Sequence, residues 1–332
     1  MTDIASGSPA PGGRAGQRPE AIKAMPVRHP WRWISAVVVL LIAADAIYTL
    51  ISAPNMSWSI VGKYLFQRLI LEGVTLTLAL TVVAMAIGIV LGVVLAVMRI
   101  SVNPVMSAVS WFYIWFFRGT PVVVQIFFWW NLAIILPHLG LGIPPNGPWL
   151  VSASTNQLIM PFTAAMLGLG LNEAAYMAEI VRAGIISVEH GQTEAAQALG
   201  MTRLQVMQRI VLPQAMRVII PPTGNETISM LKTTSLAFVA TVPELYTRAQ
   251  QISSANFAVI ELLTVISLWY LFLTSILTVG QYYIERYFAR GSQRELPATP
   301  FQRFRQLFFA YRPPTSGPPL VNPMSSERGK II

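Results

Sequence analysis

The chain has 332 residues, 54% hydrophobic and only 11% charged; an ordinary soluble domain is about a quarter charged, so this is not the composition of a water-soluble enzyme. Twenty-three Lys and Arg against fourteen Asp and Glu leave a net charge of +9, which suits nucleic acid, anionic lipid or the cytoplasmic loops of a membrane protein, depending on where the charges lie. With no Cys, and only His29, His138 and His190 as imidazoles, disulfide scaffolds, thiolate metal sites and cysteine nucleophiles are excluded, and no zinc spacing is recognisable.

Residues 1–30 are rich in Gly and Pro, with Gly7, Pro9, Pro11, Gly12, Gly13 and Pro19, and bury too little to offset the entropy of ordering. They are expected to be a disordered cytoplasmic tail. An apolar run over 34–51 is about long enough to cross a bilayer, since at about 1.5 Å per residue some 20 residues match a core of about 30 Å. The long tail ahead of it favours an uncleaved anchor over a secretory peptide. A second span is predicted over 69–98, with Glu72 near its start and Arg99 just beyond its end. The aromatic segment 104–117 reads as an interfacial helix that turns at Arg118-Gly119-Thr120-Pro121 into a third span over 121–136. Residues 137–156 have a loop composition, with Pro137, Pro144, Pro145 and Pro148. A fourth span covers 158–185. Pro213, Pro221 and Pro222 interrupt the next apolar region, so a fifth span over 211–241 is expected to be broken or kinked. A sixth covers 257–283.

The fold class is therefore an all-α membrane protein with about six transmembrane helices. Its domains are the tail 1–30, a transmembrane domain over 31–290, and a Pro-rich basic cytoplasmic tail over 291–332. That last tail could alternatively lay Phe301, Phe304, Phe308 and Phe309 on an anionic leaflet. With the N-terminus in the cytoplasm, the basic residues of both tails, of 99–118 and of 182–217 fall on one side, leaving Lys63, Arg68, Lys232 and Arg248 elsewhere. Orientation in the membrane accounts for the positive charge, and no nucleic-acid partner is needed.

Between the fourth and fifth spans lies Glu189-His-Gly-Gln-Thr-Glu-Ala-Ala-Gln-Ala-Leu-Gly200. Ala195, Ala196, Ala198 and Leu199 predict a short helix with small side chains on its surface, ended by Gly200 in the left-handed conformation. Thr202 and Gln205 have the spacing of a capping box, so a second helix starts at once in a new direction. The result is a cytoplasmic elbow that exposes Ala and Leu for a partner; the alternative is an ordinary loop whose helix packs on its own protein.

Here the sequence resembles a known family. Gly73-Val-Thr-Leu-Thr-Leu78, Arg118-Gly-Thr-Pro-Val-Val-Val-Gln125, Tyr176-Met-Ala-Glu-Ile-Val-Arg182, Gly191-Gln-Thr-Glu-Ala-Ala196 with Gly200 and Ile210-Val-Leu-Pro213, and Leu231-Lys-Thr-Thr-Ser-Leu236 stand in the order and spacing of permease subunits of bacterial ATP-binding-cassette importers, polar amino acid branch. The likeness covers about residues 69–288. It implies a type I importer-like permease fold in a bacterial inner membrane, multi-pass, with both termini cytoplasmic. It implies also an elbow acting as a coupling helix through Gly191, Glu194, Ala195, Ala196, Leu199 and Gly200, with Glu194 and Ala196 in direct contact and Gly200 making the turn. The partners implied are a cytosolic ATPase dimer, a second permease subunit of the same or another sequence, a periplasmic solute-binding protein and the lipid bilayer. The chain itself has no Gly-x-x-x-x-Gly-Lys-Ser/Thr loop, so it is expected to be no enzyme and to hold no cofactor, with ATP and Mg on the partner ATPase.

The substrate path is sought among polar groups at membrane depth, where ionisable side chains are costly and mark function by default. Glu173 falls about halfway along the fourth span, and Asn172, Tyr176 and Glu179 share one helical face. Asn225, Glu226, Lys232, Thr233 and Thr234 form a second set in the broken fifth region, a place where transporters bind solutes. These nine residues are the candidate path for a polar amino acid or related solute. The plainer reading pairs Glu179 with Arg182, lets Lys232 reach an interface and has Asp45 meet a neighbouring helix. An ATP-independent secondary transporter would share the spans but not the elbow. An intramembrane enzyme lacks any His-Glu-x-x-His or Gly-x-Ser-x-Gly sequence.

Overall fold

A computed structural model describes residues 30–54, 56–142 and 149–288; apart from Pro30, the two expected tails lie outside them. The chain divides into two units. In the described part of the first, α1 (Pro30–Ile51) is a single helix with its apolar side chains exposed and Asp45 as the one charge in its stretch 33–51. The second unit carries everything else.

That unit is built on α3 (Arg68–Arg99), whose 32 residues rise about 48 Å. It packs along α8 (Pro161–Ile186). Sequence explains the closeness: a β-carbon at Gly92 would stand 2.5 Å from Met177 Cβ and 3.1 Å from the Ala174 carbonyl, and one at Gly170 would stand 2.9 Å from Ile87. Small residues four apart, Gly88 and Gly92, let two backbones approach where no water drives association. Around this pair, Leu80, Ala84, Ile126, Leu169 and Ala237 form one core. A second core joins α2 (Trp58–Leu65), α3, α12 (Leu245–Asn256) and α13 (Val259–Phe288) through Ile70, Leu245, Leu262 and Val265.

The third span expected over 121–136 is not one helix. The turn expected at Arg118-Gly119-Thr120-Pro121 is there, with α4 (Pro104–Gly119) meeting α5 (Val122–Trp130) at 99°, but α5 ends at Trp130 and a separate α6 (Leu132–Ile135) follows. Nine residues rise only about 14 Å, less than half a bilayer core. Pro121 disfavours helical geometry at Thr120 and lacks an N–H. Gln125 then fastens the bend: its Nε2 donates to the Phe117 carbonyl at 3.0 Å, the Thr120 carbonyl at 3.1 Å and Thr120 Oγ1 at 2.7 Å.

The expected loop 137–156 contains an antiparallel hairpin, β1 (His138–Gly142) with β2 (Trp149–Ser154), His138 opposite Ser154 and Leu139 opposite Ala153. Thr155, opening α7 (Thr155–Leu158), ties its foot to the Leu136 and Pro137 carbonyls. Apart from this hairpin the described regular structure is helical.

The elbow comprises α9 (His190–Ala198) and α10 (Arg203–Val206), which runs through a π-helical turn (Met207–Val211) into α11 (Leu212–Thr233), then a 3₁₀ segment (Thr234–Ala240). Within the region expected to be broken or kinked, no break falls at Pro221 and Pro222, which lie inside a continuous α11; the α-helix ends instead at Thr233, where the 3₁₀ segment begins. The wide turn falls immediately ahead of Pro213, where a ring would otherwise meet the preceding carbonyls. Beside the prolines, Thr223 Oγ1 donates to the Ile219 carbonyl at 2.8 Å, and Gln281 Nε2 on α13 to that of Pro221 at 3.3 Å.

Among the described residues, three helices are long and apolar enough to cross a membrane: Trp33–Ile51 in α1, α3 and α13. The bent α4–α5 pair is a fourth if taken as one span. Reaching six needs α8 and α11, 26 and 22 residues long, which carry the polar groups of interest.

Candidate functional site

The α4–α5 bend, the middle of α8 and the C-terminal half of α11 enclose a cavity of about 570 Å³. The bend supplies Arg118, Gly119, Thr120 and Pro121, α8 supplies Asn172, Glu173 and Tyr176, and α11 supplies Glu226, Ser229, Met230 and Thr233. Helical spacing explains each set, since Asn172 and Tyr176 are one turn apart and Glu226, Ser229 and Thr233 repeat at three and four residues. Asn172 is oriented by donating from Nδ2 to the Phe117 carbonyl at 2.7 Å. The Arg118 guanidinium lies 5.1 Å from the Tyr176 ring centroid, a cation–π distance that holds it on one wall.

Glu173 is the unusual member. It is 4% exposed, and its Oε1 is buried without a hydrogen-bond partner, which a protein interior rarely leaves uncompensated. Gly88 makes room for it, because a β-carbon there would overlap Glu173 Cγ and lie 2.8 Å from its Cβ. Two carboxyl groups, Glu173 and Glu226, thus face a lining with one guanidinium. No group of three or more metal-ligating side chains occurs among the described residues.

Of the nine path candidates, the structure gathers Asn172, Glu173, Tyr176, Glu226 and Thr233 in this cavity. The other four lie outside its lining. Glu179 Oε2 pairs with Arg182 at 2.6 Å, Asn225 Oδ1 accepts from Gln281 Nε2 at 2.9 Å, Lys232 is exposed, and Thr234 is buried and donates to the Leu231 carbonyl at 2.7 Å. Arg118 and Ser229 were not among the candidates. Arg118 could have been found as an ionisable group between two apolar runs; Ser229 offers no signal beyond helical phase with Glu226.

The elbow has the turn its sequence implies. Gly200 sits at φ 81°; its N–H donates to the Gln197 carbonyl at 2.9 Å and the Met201 N–H to that of Ala196 at 3.1 Å, the paired bonds of a Schellman ending. The Thr202 N–H donates to Gln205 Oε1 at 2.8 Å, and the Gln205 N–H to Thr202 Oγ1 at 3.4 Å, closing the capping box. Gly191, Glu194, Ala195 and Leu199 are exposed, Leu199 to 84%. Ala196 is not: at 4% exposure it packs with Val206 and Val211. It holds the elbow together and, as it stands, offers no surface to a partner.

Residues 88–290 match the family described as the binding-protein-dependent transport system inner membrane component. The chain belongs to that family. It is 47% identical over 301 residues to the arginine transport system permease protein ArgU of Corynebacterium glutamicum, covering 90% of this chain and 92% of that one. It is 34% identical over 210 residues to the glutamine transport system permease protein GlnP of Escherichia coli K12, covering 63% and 88%. Among solved structures, an amino acid ATP-binding-cassette transporter with histidines matches at a TM-score of 0.56 and 34% identity, over 66% of this chain and 94% of that chain. The permease is thus the inner-membrane, multi-pass subunit of an ATP-driven amino acid importer, with a type I importer fold. ATP hydrolysis belongs to a separate chain, and the permease works with an ATPase and a solute-binding protein. The secondary-transporter alternative is set aside.

Proposed function

We propose that this permease imports a cationic α-amino acid and that the cavity between α4–α5, α8 and α11 is its station inside the membrane. The observation that carries the reading is Glu173, a buried carboxyl with an unsatisfied oxygen in a lining that sets two acids against one base. A ligand ammonium or guanidinium would satisfy it, while Arg118 offers the complementary group for an α-carboxylate. The 47% identity to an arginine system permease points the same way. On this reading α8 and α11 complete six spans, the termini lie in the cytoplasm, and a second permease, of the same or a different sequence, completes the pore. The tails 1–30 and 291–332 remain outside this scheme.

In the same proposal α9 couples to the ATPase dimer, which holds the ATP and Mg. Gly191, Glu194, Ala195 and Leu199 present the contact surface, while Ala196 and Gly200 set its shape. Closure of the ATPase pair would move α9 and switch access as a rigid-body change between two packed arrangements.

The test is uptake by the complete transporter in vesicles. Glu173→Gln removes the charge at nearly constant volume, and a lost charge-assisted hydrogen bond, about 1.5–3 kcal/mol, raises KM for arginine tenfold or more. Half-saturation for arginine unchanged, with glutamine still discriminated against as before, refutes the cationic reading.

A further inference from the structure

A second cavity, of about 320 Å³, lies beneath α9. Its floor is apolar, formed by Ile100 just past the end of α3, Ile185 near the end of α8, and Met207 in the π-helical turn; its rim carries His190 and Gln197 from the inner side of α9, and Arg203. Arg203 is exposed and makes no ion pair among the described residues. Glu189 and Glu194, the carboxylates of the elbow, are absent from the lining and make no ion pair with Arg203.

We propose that this cavity binds an anionic phospholipid, with the phosphate at Arg203 and His190 and the upper acyl chain over Ile100, Ile185 and Met207. A free anion has no use for the apolar floor, and a purely apolar occupant leaves the rim unused. The location supplies the rest of the argument: the cavity lies at the ends of α3, at Arg99, and α8, at Ile186, which the proposed topology puts on the cytoplasmic side of the membrane, so a lipid of that leaflet would reach it. Basic side chains at that level attract anionic headgroups. The occupant would also brace α9, which is otherwise packed through Ala196 against Val206 and Val211. The bracing rests on α9 as the coupling helix; the lipid site does not.

The experiment uses the whole transporter with its ATPase and binding protein, in phosphatidylcholine vesicles with or without phosphatidylglycerol. Labelling by a photoactivatable phosphatidylglycerol is mapped to residues 185–207, and binding-protein-stimulated hydrolysis is measured alongside. Wild type is expected to be labelled there and to hydrolyse faster with phosphatidylglycerol. Arg203→Gln loses about fivefold in apparent affinity for the anionic lipid, the weight of one basic residue at such a surface, and Arg203→Lys keeps it. Met207→Trp fills the floor and loses the label. Equal labelling of wild type, Arg203→Gln and Met207→Trp overturns the site. So does protection from labelling by inorganic phosphate alone, or an Arg203→Gln defect of equal size in both vesicle types, which assigns Arg203 to the ATPase contact. Labelling is read without hydrolysis, so failure of α9 as the coupling element leaves the lipid result standing.

Discussion

Gly88→Ala tests whether the placement of Glu173 depends on α3. The added carbon would overlap Glu173 Cγ, lie 2.8 Å from its Cβ and 3.4 Å from its backbone carbonyl carbon. The first two atoms sit close to the α8 backbone, so relief requires that α8 shift or that Glu173 leave its present position. Over-packing of this kind costs about 1–3 kcal/mol, partly offset by about 1 kcal/mol when a helix glycine becomes alanine. Gly280 on α13 provides the control, since a β-carbon there meets nothing within 4 Å and the same exchange should be neutral or stabilising. Apparent unfolding of the two variants in detergent is therefore expected to differ by about 1–3 kcal/mol. Gly88→Ala should also raise KM for a cationic amino acid in vesicles, and Gly280→Ala should not. If both unfold alike and transport alike, α3 and α8 can separate freely at this level, and the claim that Gly88 sets the Glu173 position is wrong.

Gly200→Leu is expected to leave the permease inserted but to reduce substrate-stimulated ATP hydrolysis in the complex. No atom lies within 4 Å of its β-position, so the strain comes from φ 81°, about 1 kcal/mol or more for a residue with a side chain; normal coupling in this variant would show the elbow to be passive. Glu244→Ala should lower stability by about 2–4 kcal/mol in the same unfolding assay. Glu244 is fully buried and accepts from Tyr246 N at 2.9 Å, Thr247 N at 2.8 Å, Thr247 Oγ1 at 3.0 Å and Tyr270 OH at 3.3 Å, and Glu244→Gln should recover part of the loss.

What could be read in advance depended on the range of the interaction. The ends of α9 and α10 were legible because Gly200, Thr202 and Gln205 act on backbone groups within a few residues. The runs that become α3 and α13 were legible because length and polarity suffice. Ala196 was misread because its burial depends on the π-helical turn carrying Val211 back beneath α9, a geometry without a periodic signal. The bend after α4 was legible because Arg118-Gly119-Thr120-Pro121 interrupts the apolar run, but Gln125, the polar residue that fastens it, gave no local hint of its three acceptors. Pro221 and Pro222 looked like a break because each removes a helical N–H and crowds the preceding turn, yet α11 runs through both. Within the site, helical phase correctly grouped Asn172 with Tyr176. It also grouped them with Glu179, whose nearest option was Arg182 three residues on. Arg118 joins the cavity by a tertiary route, from the far side of a bend.

Two helices that line the cavity, α8 and α11, also lead into the elbow, and this gives a physical path between them. α8 carries Asn172, Glu173 and Tyr176 and then passes through Ser187–Glu189 into α9; α11 carries Glu226, Ser229 and Thr233 and begins as the continuation of α10 through the π-helical turn. Near the elbow the two are in close contact, since a β-carbon at Gly184 would overlap Ile219 and lie 3.2 Å from the Ala215 carbonyl. Helices held this closely move as bodies rather than bending between contacts, because packed interfaces switch between discrete arrangements. A displacement of α9 would therefore reach the two acidic walls of the cavity together, changing the distance from Glu173 and Glu226 to Arg118 without unfolding any of the three elements. If α9 moves as proposed, the close packing at Gly184 would transmit the motion, and the π-helical turn before Pro213 would give α11 a place to absorb the change in pitch.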